Sequence, residues 1–212
     1  MHGGQADVIS RERWGAPWRE LGLATPAPVF DELLARYSEP HRHYHNLTHI
    51  ADCLAHFDHA RELCEHAAEV ELALWFHDAI YDTHAKDNEA QSAAWAVRVL
   101  SDAGTAQAVR ERVHALIMAT CHTAAPDTPD ACTLVDIDLS ILGAVPGRFD
   151  AYENEIRAEY AWVPGFLFRA TRRKILREFL ARPSIYSTGK FKQSLESNAR
   201  ANLARSLQSR KR

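Results

Sequence analysis

Successive runs in this chain place apolar residues at the three- and four-residue spacing of a helix, and that spacing limits what it can fold into. The runs fall at residues 29–37, about 45–66, 69–82, 87–103, 106–121, 131–142, 147–161, 165–182 and 191–208. Alternating patterns of the strand type are scarce. Punctuation supports the divisions: Asp87 can cap the run after it with Glu89 in its first turn, Gly104 can end that run, and Pro146, Pro164 and Pro183 interrupt others. The expectation is an all-α protein of about eight to nine helices. Residues 1–28, with Trp14, Trp18 and several prolines, read as a lead-in packed on the body by its tryptophans; 29–209 form one helical domain, and 210–212 a basic tail.

A chain of 212 residues, 46% hydrophobic and 25% charged, can bury a sizeable core as a globular protein. Its net charge of −3 gives no global attraction to nucleic acid or to an anionic membrane, which leaves only local basic patches. The one concentrated basic run, Arg210-Lys211-Arg212, reads as a solvated tail, and most of the cluster Arg169, Arg172, Arg173 and Lys174 as a solvated helix face. Cys53, Cys64, Cys121 and Cys132 contain no C-x-x-C pair, and the chain opens on a polar stretch where a secretory leader would be apolar. A cytoplasmic protein with reduced cysteines is the expectation. No apolar run approaches the roughly 18 residues of a membrane span.

The chemistry-bearing residues are fewer. His45 and His49 stand four apart and on one helix would share a face. Position 46 is Asn where a zincin helix carries its glutamate base, so a metalloprotease does not fit. His77-Asp78 follows Glu71-Leu-Ala-Leu-Trp-Phe76, and His77 shares a helical face with Ala73, Leu74, Ile80 and Tyr81. A hydrogen-bonded core histidine and a metal ligand both suit that face. Asp138 has Leu134, Val135, Ile141 and Leu142 at helical spacing, and an ionised carboxylate there calls for a cation or a buried arginine. Asp136, about 200° around the helix, is expected to face water.

In order and spacing, His49, His77-Asp78 and Asp138 resemble the H…HD…D signature of the HD superfamily of metal-dependent phosphohydrolases. The segment from Tyr44 to Asp52 is similar to the corresponding helix of cyclic-nucleotide phosphodiesterases in that superfamily. A bacterial group of predicted HD phosphohydrolases is closer still, through His41-Arg42-His43-Tyr44-His45-Asn46, Trp75-Phe76-His77-Asp78-Ala79-Ile80-Tyr81-Asp82, Asp87-Asn88-Glu89, Asp136-Ile137-Asp138-Leu139 and Ile185-Tyr186. The likeness covers most of residues 39–205.

The resemblance implies a single HD-type helical domain, metal ligation by His49, His77, Asp78 and Asp138, and His45 as proton donor to a leaving oxygen, the alternative for His45 being a ring that only supports a ligand or is merely exposed. It carries no cyclic-nucleotide specificity, because the nucleotide-gripping glutamine and hydrophobic clamp are not identifiable. Two imidazoles and two carboxylates suit a divalent ion, with Mn, Fe, Co, Ni, Zn and Mg undistinguished. A second metal, for which His122 would be needed, is not favoured, and His122 is equally suited to a structural or substrate-facing place. Asp82 or Glu89 could orient the attacking water, with capping as the first role of Asp87. Arg42 and Lys86 are the cations nearest in sequence for a phosphate. Pairing with Glu196 accounts for Lys192 and Arg200 in the last run.

The expected function is hydrolysis of a phosphate ester of a nucleotide or other small phosphorylated molecule by metal-activated water. The expected partner is that small substrate, with no membrane and no nucleic acid, and with self-association left open. The alternatives are an HD-derived nucleotide-binding or regulatory module without turnover and, behind it, a di-iron oxygenase.

Overall fold

The computed structural model describes residues 8–208, which form ten α-helices, two short 3-10 turns and no strand. They cluster into two compact units divided between Ile137 and Asp138.

The first unit is organised around its fourth helix. In chain order it holds α1 (Arg11–Glu20), α2 (Ala27–Tyr37), α3 (Leu47–Ala60), α4 (Ala67–Phe76), α5 (Asn88–Asp102), α6 (Gln107–Ala119) and α7 (Pro129–Asp138), the last ending one residue past the division. Every residue from Ala68 to Phe76 is buried, as expected of a helix apolar all round, and α4 packs against α1, α3, α5 and α6. Its two acids, Glu69 and Glu71, are buried with partners on other helices. Glu69 accepts from Arg112 Nε at 2.7 Å and Nη2 at 2.6 Å, and Glu71 from Arg13 Nε at 2.7 Å. Losing Arg112 would strand the buried Glu69 charge, and losing Arg13 would leave Glu71 only its longer pair with Arg61 at 3.5 Å, which makes these pairs registry marks between helices. The start of α4 is held from α7: buried Asp130 accepts the backbone N–H of Glu65 at 2.7 Å and of His66 at 3.3 Å.

One helix lies where the sequence suggested irregular chain. Arg11–Glu20 is helical, with the Ser10 hydroxyl accepting from Arg13 N at 3.2 Å as its N-cap. Gly15 and Pro17, poor helix formers, hide a narrow stripe made by Trp14 and Trp18 four residues apart. Trp14 meets Trp18, Trp75 and Phe76 edge-on at ring separations of 5.3, 5.6 and 5.9 Å, so this segment packs on the C-terminal end of α4.

Other boundaries shift for local reasons. The Asn46 side chain accepts from Thr48 N at 2.9 Å, so α3 starts at Leu47 and leaves His45 outside the helix. The expected run 69–82 ends at Phe76, and His77 begins a turn. Gly104, at φ +82°, stops the chain after α5 as expected. Asp87 stands at the N-cap position of α5 but accepts from the Gln91 side chain at 3.1 Å, not from a backbone N–H in the first turn.

The second unit contains a 3-10 turn (Leu139–Gly143), α8 (Pro146–Glu159), α9 (Gly165–Ala181) and α10 (Gly189–Gln208). The turn packs on α8 and α10, and α9 packs on α10. Gly143 is obligatory by close approach: a Cβ there would lie 2.6 Å from Leu195 Cβ and 2.9 Å from both the Leu195 carbonyl and the Tyr186 hydroxyl. Asn202 Nδ2 donates to the carbonyls of Leu142 at 2.9 Å and Ala144 at 2.8 Å, which ties α10 to the turn. Among the described residues no helix is long and apolar enough to cross a membrane. The basic tail at 210–212 lies outside the described residues.

Candidate metal centre

Three donor atoms of the first unit converge. His49 Nε2 stands 3.2 Å from His77 Nε2, and Asp78 Oδ2 stands 3.4 Å from the former and 3.1 Å from the latter. Each side chain arrives by a different local route. His49 lies on the buried face of α3 with Ile50, Cys53 and Leu54. His77 is the C-cap of α4, its N–H bonded to the Ala73 carbonyl at 2.9 Å, and Asp78 is swung round by the turn that follows.

The chemistry of this donor set calls for a cation. His77 Nδ1 lies 2.8 Å from the Leu74 carbonyl oxygen, which can only accept, so the neutral ring carries its proton on Nδ1 and presents a lone pair at Nε2. Burial alone would raise the Asp78 carboxyl, but when His77 and His45 are protonated instead, their charges, with hydrogen bonds from His49 and His77, hold it well below the ordinary carboxylate range. An anionic oxygen and two imidazole nitrogens therefore face one another in a buried place, where a shared proton or metal ion relieves their repulsion. Their spacing suits a metal: donors about 2.1 Å from one ion stand about 3.0 Å apart at a right angle and about 3.4 Å at the tetrahedral angle.

Cys53 was not singled out by the sequence, although it stands one turn after His49. Ligand atoms of His49, Cys53 and His77 lie within 4.8 Å of one another, so a His/Cys/His group is metal-capable by proximity. Its sulfur, however, is 3.8 Å from His49 Nδ1 and 3.7 Å from Nε2. A point so nearly equidistant from both nitrogens is off the Nε2 lone-pair axis. Within the first unit, the donors aimed at one place are His49, His77 and Asp78.

His45 was expected to share a helix face with His49. It sits before the N-cap instead, yet the two rings still approach to 5.8 Å, and His45 stacks on Tyr81 at 4.3 Å with Tyr44 edge-on at 4.9 Å. Burial pushes the Tyr37 phenol well above its ordinary value, with the charge of Asp78 adding to it, and its hydroxyl donates to the Trp75 carbonyl at 3.1 Å.

Arg42 departs from its expected place as a phosphate-binding cation. Its side chain is fully buried, and it donates to Glu39 Oε2 at 3.0 Å and to the carbonyls of His45 at 3.1 Å, Asp78 at 2.6 Å and Ala79 at 3.0 Å. The guanidinium lies over Tyr37 at 5.1 Å and Tyr81 at 5.4 Å. Four of its five N–H donors are thus committed to the backbone and side chains that frame the three converging donors. It is a positioning group, and sequence distance concealed it because two of its acceptors lie 36 and 37 residues away.

The remaining expected residues are spread over the loop after the turn, the first turn of α5 and the ends of α6 and α7. Asp82 is exposed and organises that loop, its Oδ1 accepting from His84 N at 2.8 Å, while its own N–H donates to Asn88 Oδ1 at 3.0 Å. Lys86 is exposed beside it. Glu89 is half-buried in the first turn of α5, and its charge adds to burial in raising the Cys121 thiol. His122 takes φ +53°, the left-handed stop after α6. Asp138 is the last residue of α7, half-buried, and the first residue of the second unit. Asp136, expected to face water, is fully buried: α7 is covered on more of its circumference than an apolar stripe predicts.

Comparison with family models, with curated proteins and with solved structures finds no match.

Proposed function

We propose that this chain is a metal-dependent phosphohydrolase of the HD type, acting on a phosphate ester of a nucleotide or another small phosphorylated molecule. The observation that carries the reading is the convergence of His49 Nε2, His77 Nε2 and Asp78 Oδ2 within 3.4 Å of one another. The sequence pattern assigns the fourth ligand to Asp138. A divalent ion held there would supply Lewis acidity toward a phosphoryl oxygen and lower the pKa of water.

The chain's own residues account for the rest. The Leu74 carbonyl fixes the His77 tautomer that a ligand needs. Arg42 holds the Asp78–Ala79 carbonyls and the His45 carbonyl in one frame, so the metal ligands and the imidazole at position 45 keep their spacing. His45, set between Tyr44 and Tyr81, is the group placed to give a proton to a leaving oxygen. Asp82 and Glu89 remain the carboxylates proposed to orient the attacking water, and Lys86, being exposed in the intervening loop, is the cation left for the phosphate.

Purified chain supplied with Mn, Co, Ni, Zn or Mg, assayed against phosphomonoesters, phosphodiesters and nucleotides, should release product only with a divalent ion, and Asp78→Ala should abolish it. Full turnover by that variant would contradict the reading.

A further inference from the structure

The second unit contains a cavity of about 260 Å3 whose lining is unusually cationic. Four arginines, Arg157, Arg169, Arg172 and Arg173, face it against a single acid, Glu153. That acid is already satisfied: it accepts from Arg172 Nε at 3.0 Å and from the Ser206 hydroxyl at 2.9 Å. Arg157 is pinned by the carbonyls of Tyr160 at 2.6 Å and Val163 at 3.2 Å, with its guanidinium 4.9 Å from the centre of the Phe168 ring. Arg169 and Arg173 make no hydrogen bond or ion pair among the described residues.

This arrangement is electrostatically incomplete. Arg169 and Arg173 stand four apart on α9, a like-charge spacing that destabilises a helix. The Arg169 guanidinium lies back over the first turn, within 3.2 Å of where a Cβ on Gly165 would be, and no acid stands in that turn to offset it. Rigid, pre-paired arginines around a concavity are the usual protein answer to phosphate oxygens, which accept several N–H donors at once. We infer that this cavity is a binding site for a phosphate-bearing anion, with Arg169 and Arg173 as its gripping residues and Arg157 and Arg172 as fixed walls.

Two sources present that chemistry, a soluble phosphate compound and a lipid headgroup. Phe166, Leu167 and Trp162, which are 67%, 48% and 52% exposed, lie at the start of α9 and just before it, where a lipid surface would also engage them. Full-length chain in EDTA, so that no metal centre contributes, is titrated with inorganic pyrophosphate by calorimetry. It is also sedimented with phosphatidylcholine vesicles with or without phosphatidylglycerol. The expected result is saturable binding weakened about tenfold or more in Arg169→Ala/Arg173→Ala and kept in Arg177→Ala, an exposed arginine outside the cavity. Pyrophosphate binding that follows this pattern identifies a free anion. Binding only to phosphatidylglycerol vesicles, lost in the double variant and in Phe166→Ser, identifies a headgroup. No binding to either probe, or equal binding by the double variant, or equal loss in Arg177→Ala, overturns the proposal.

Discussion

Arg42 shows how one buried side chain can set the geometry of a site it does not ligate. Its guanidinium bonds the carbonyls of His45, Asp78 and Ala79, of which Ala79 is fully buried and the other two are half-buried. Arg42→Ala would leave three acceptors unsatisfied in the frame of the site and should lower stability by about 2–4 kcal/mol in urea unfolding. Arg42→Lys keeps the charge but lacks the planar fork, so it should recover less than half of that loss and bind divalent ions more weakly than wild type. Wild-type stability and metal affinity in Arg42→Lys would show that charge alone, not the fork, holds the frame.

At the scale of elements, the segment joining α9 to α10 is secured by one acid. Glu196 accepts from the backbone N–H of Ile185 at 3.0 Å and Tyr186 at 3.2 Å and from Arg200 Nε at 2.7 Å. The Arg200 pair is the one the sequence suggested, whereas Lys192 makes no such pair among the described residues. Partial burial would raise the Glu196 carboxyl, but those N–H groups and Arg200 hold it below its ordinary value of 4.5. Because the native value is the depressed one, its stabilisation is complete above pH 4.5 and is lost as pH falls through the native value. Wild type should therefore exceed Glu196→Gln in stability by about 1–2 kcal/mol at neutral pH, and the gap should close in acid below that value. A gap independent of pH would show that the charge is not what matters.

The elements also show where sequence is informative. Gly104 and the apolar runs of α5, α6 and α8 are local signals, and their boundaries follow from propensity and periodicity. Arg11–Glu20 was hidden by Gly15 and Pro17, because its stability comes from burying Trp14 against Trp75 and Phe76, far along the chain, with Trp18 buried beside it. For the site, His49, His77 and Asp78 were legible as residue types in order. The Leu74 carbonyl that fixes the His77 tautomer, the position of His45 outside the helix and the committed donors of Arg42 were not, since each depends on where a turn points a backbone group.

For the whole molecule, the all-helical expectation holds, with ten α-helices among the described residues in place of eight to nine, and with the chain divided into two units at the end of α7. The first unit carries the three converging donor atoms and the second the arginine-lined cavity. The central claim is that His49, His77 and Asp78 hold a divalent ion, and metal content tests it most directly. Chain loaded with manganese, freed of excess ion and analysed by plasma mass spectrometry should retain a divalent ion. A His77→Ala/Asp78→Ala variant with unchanged helical circular dichroism should retain none. Equal metal in the two proteins, or none in wild type under any divalent ion offered, would contradict the account.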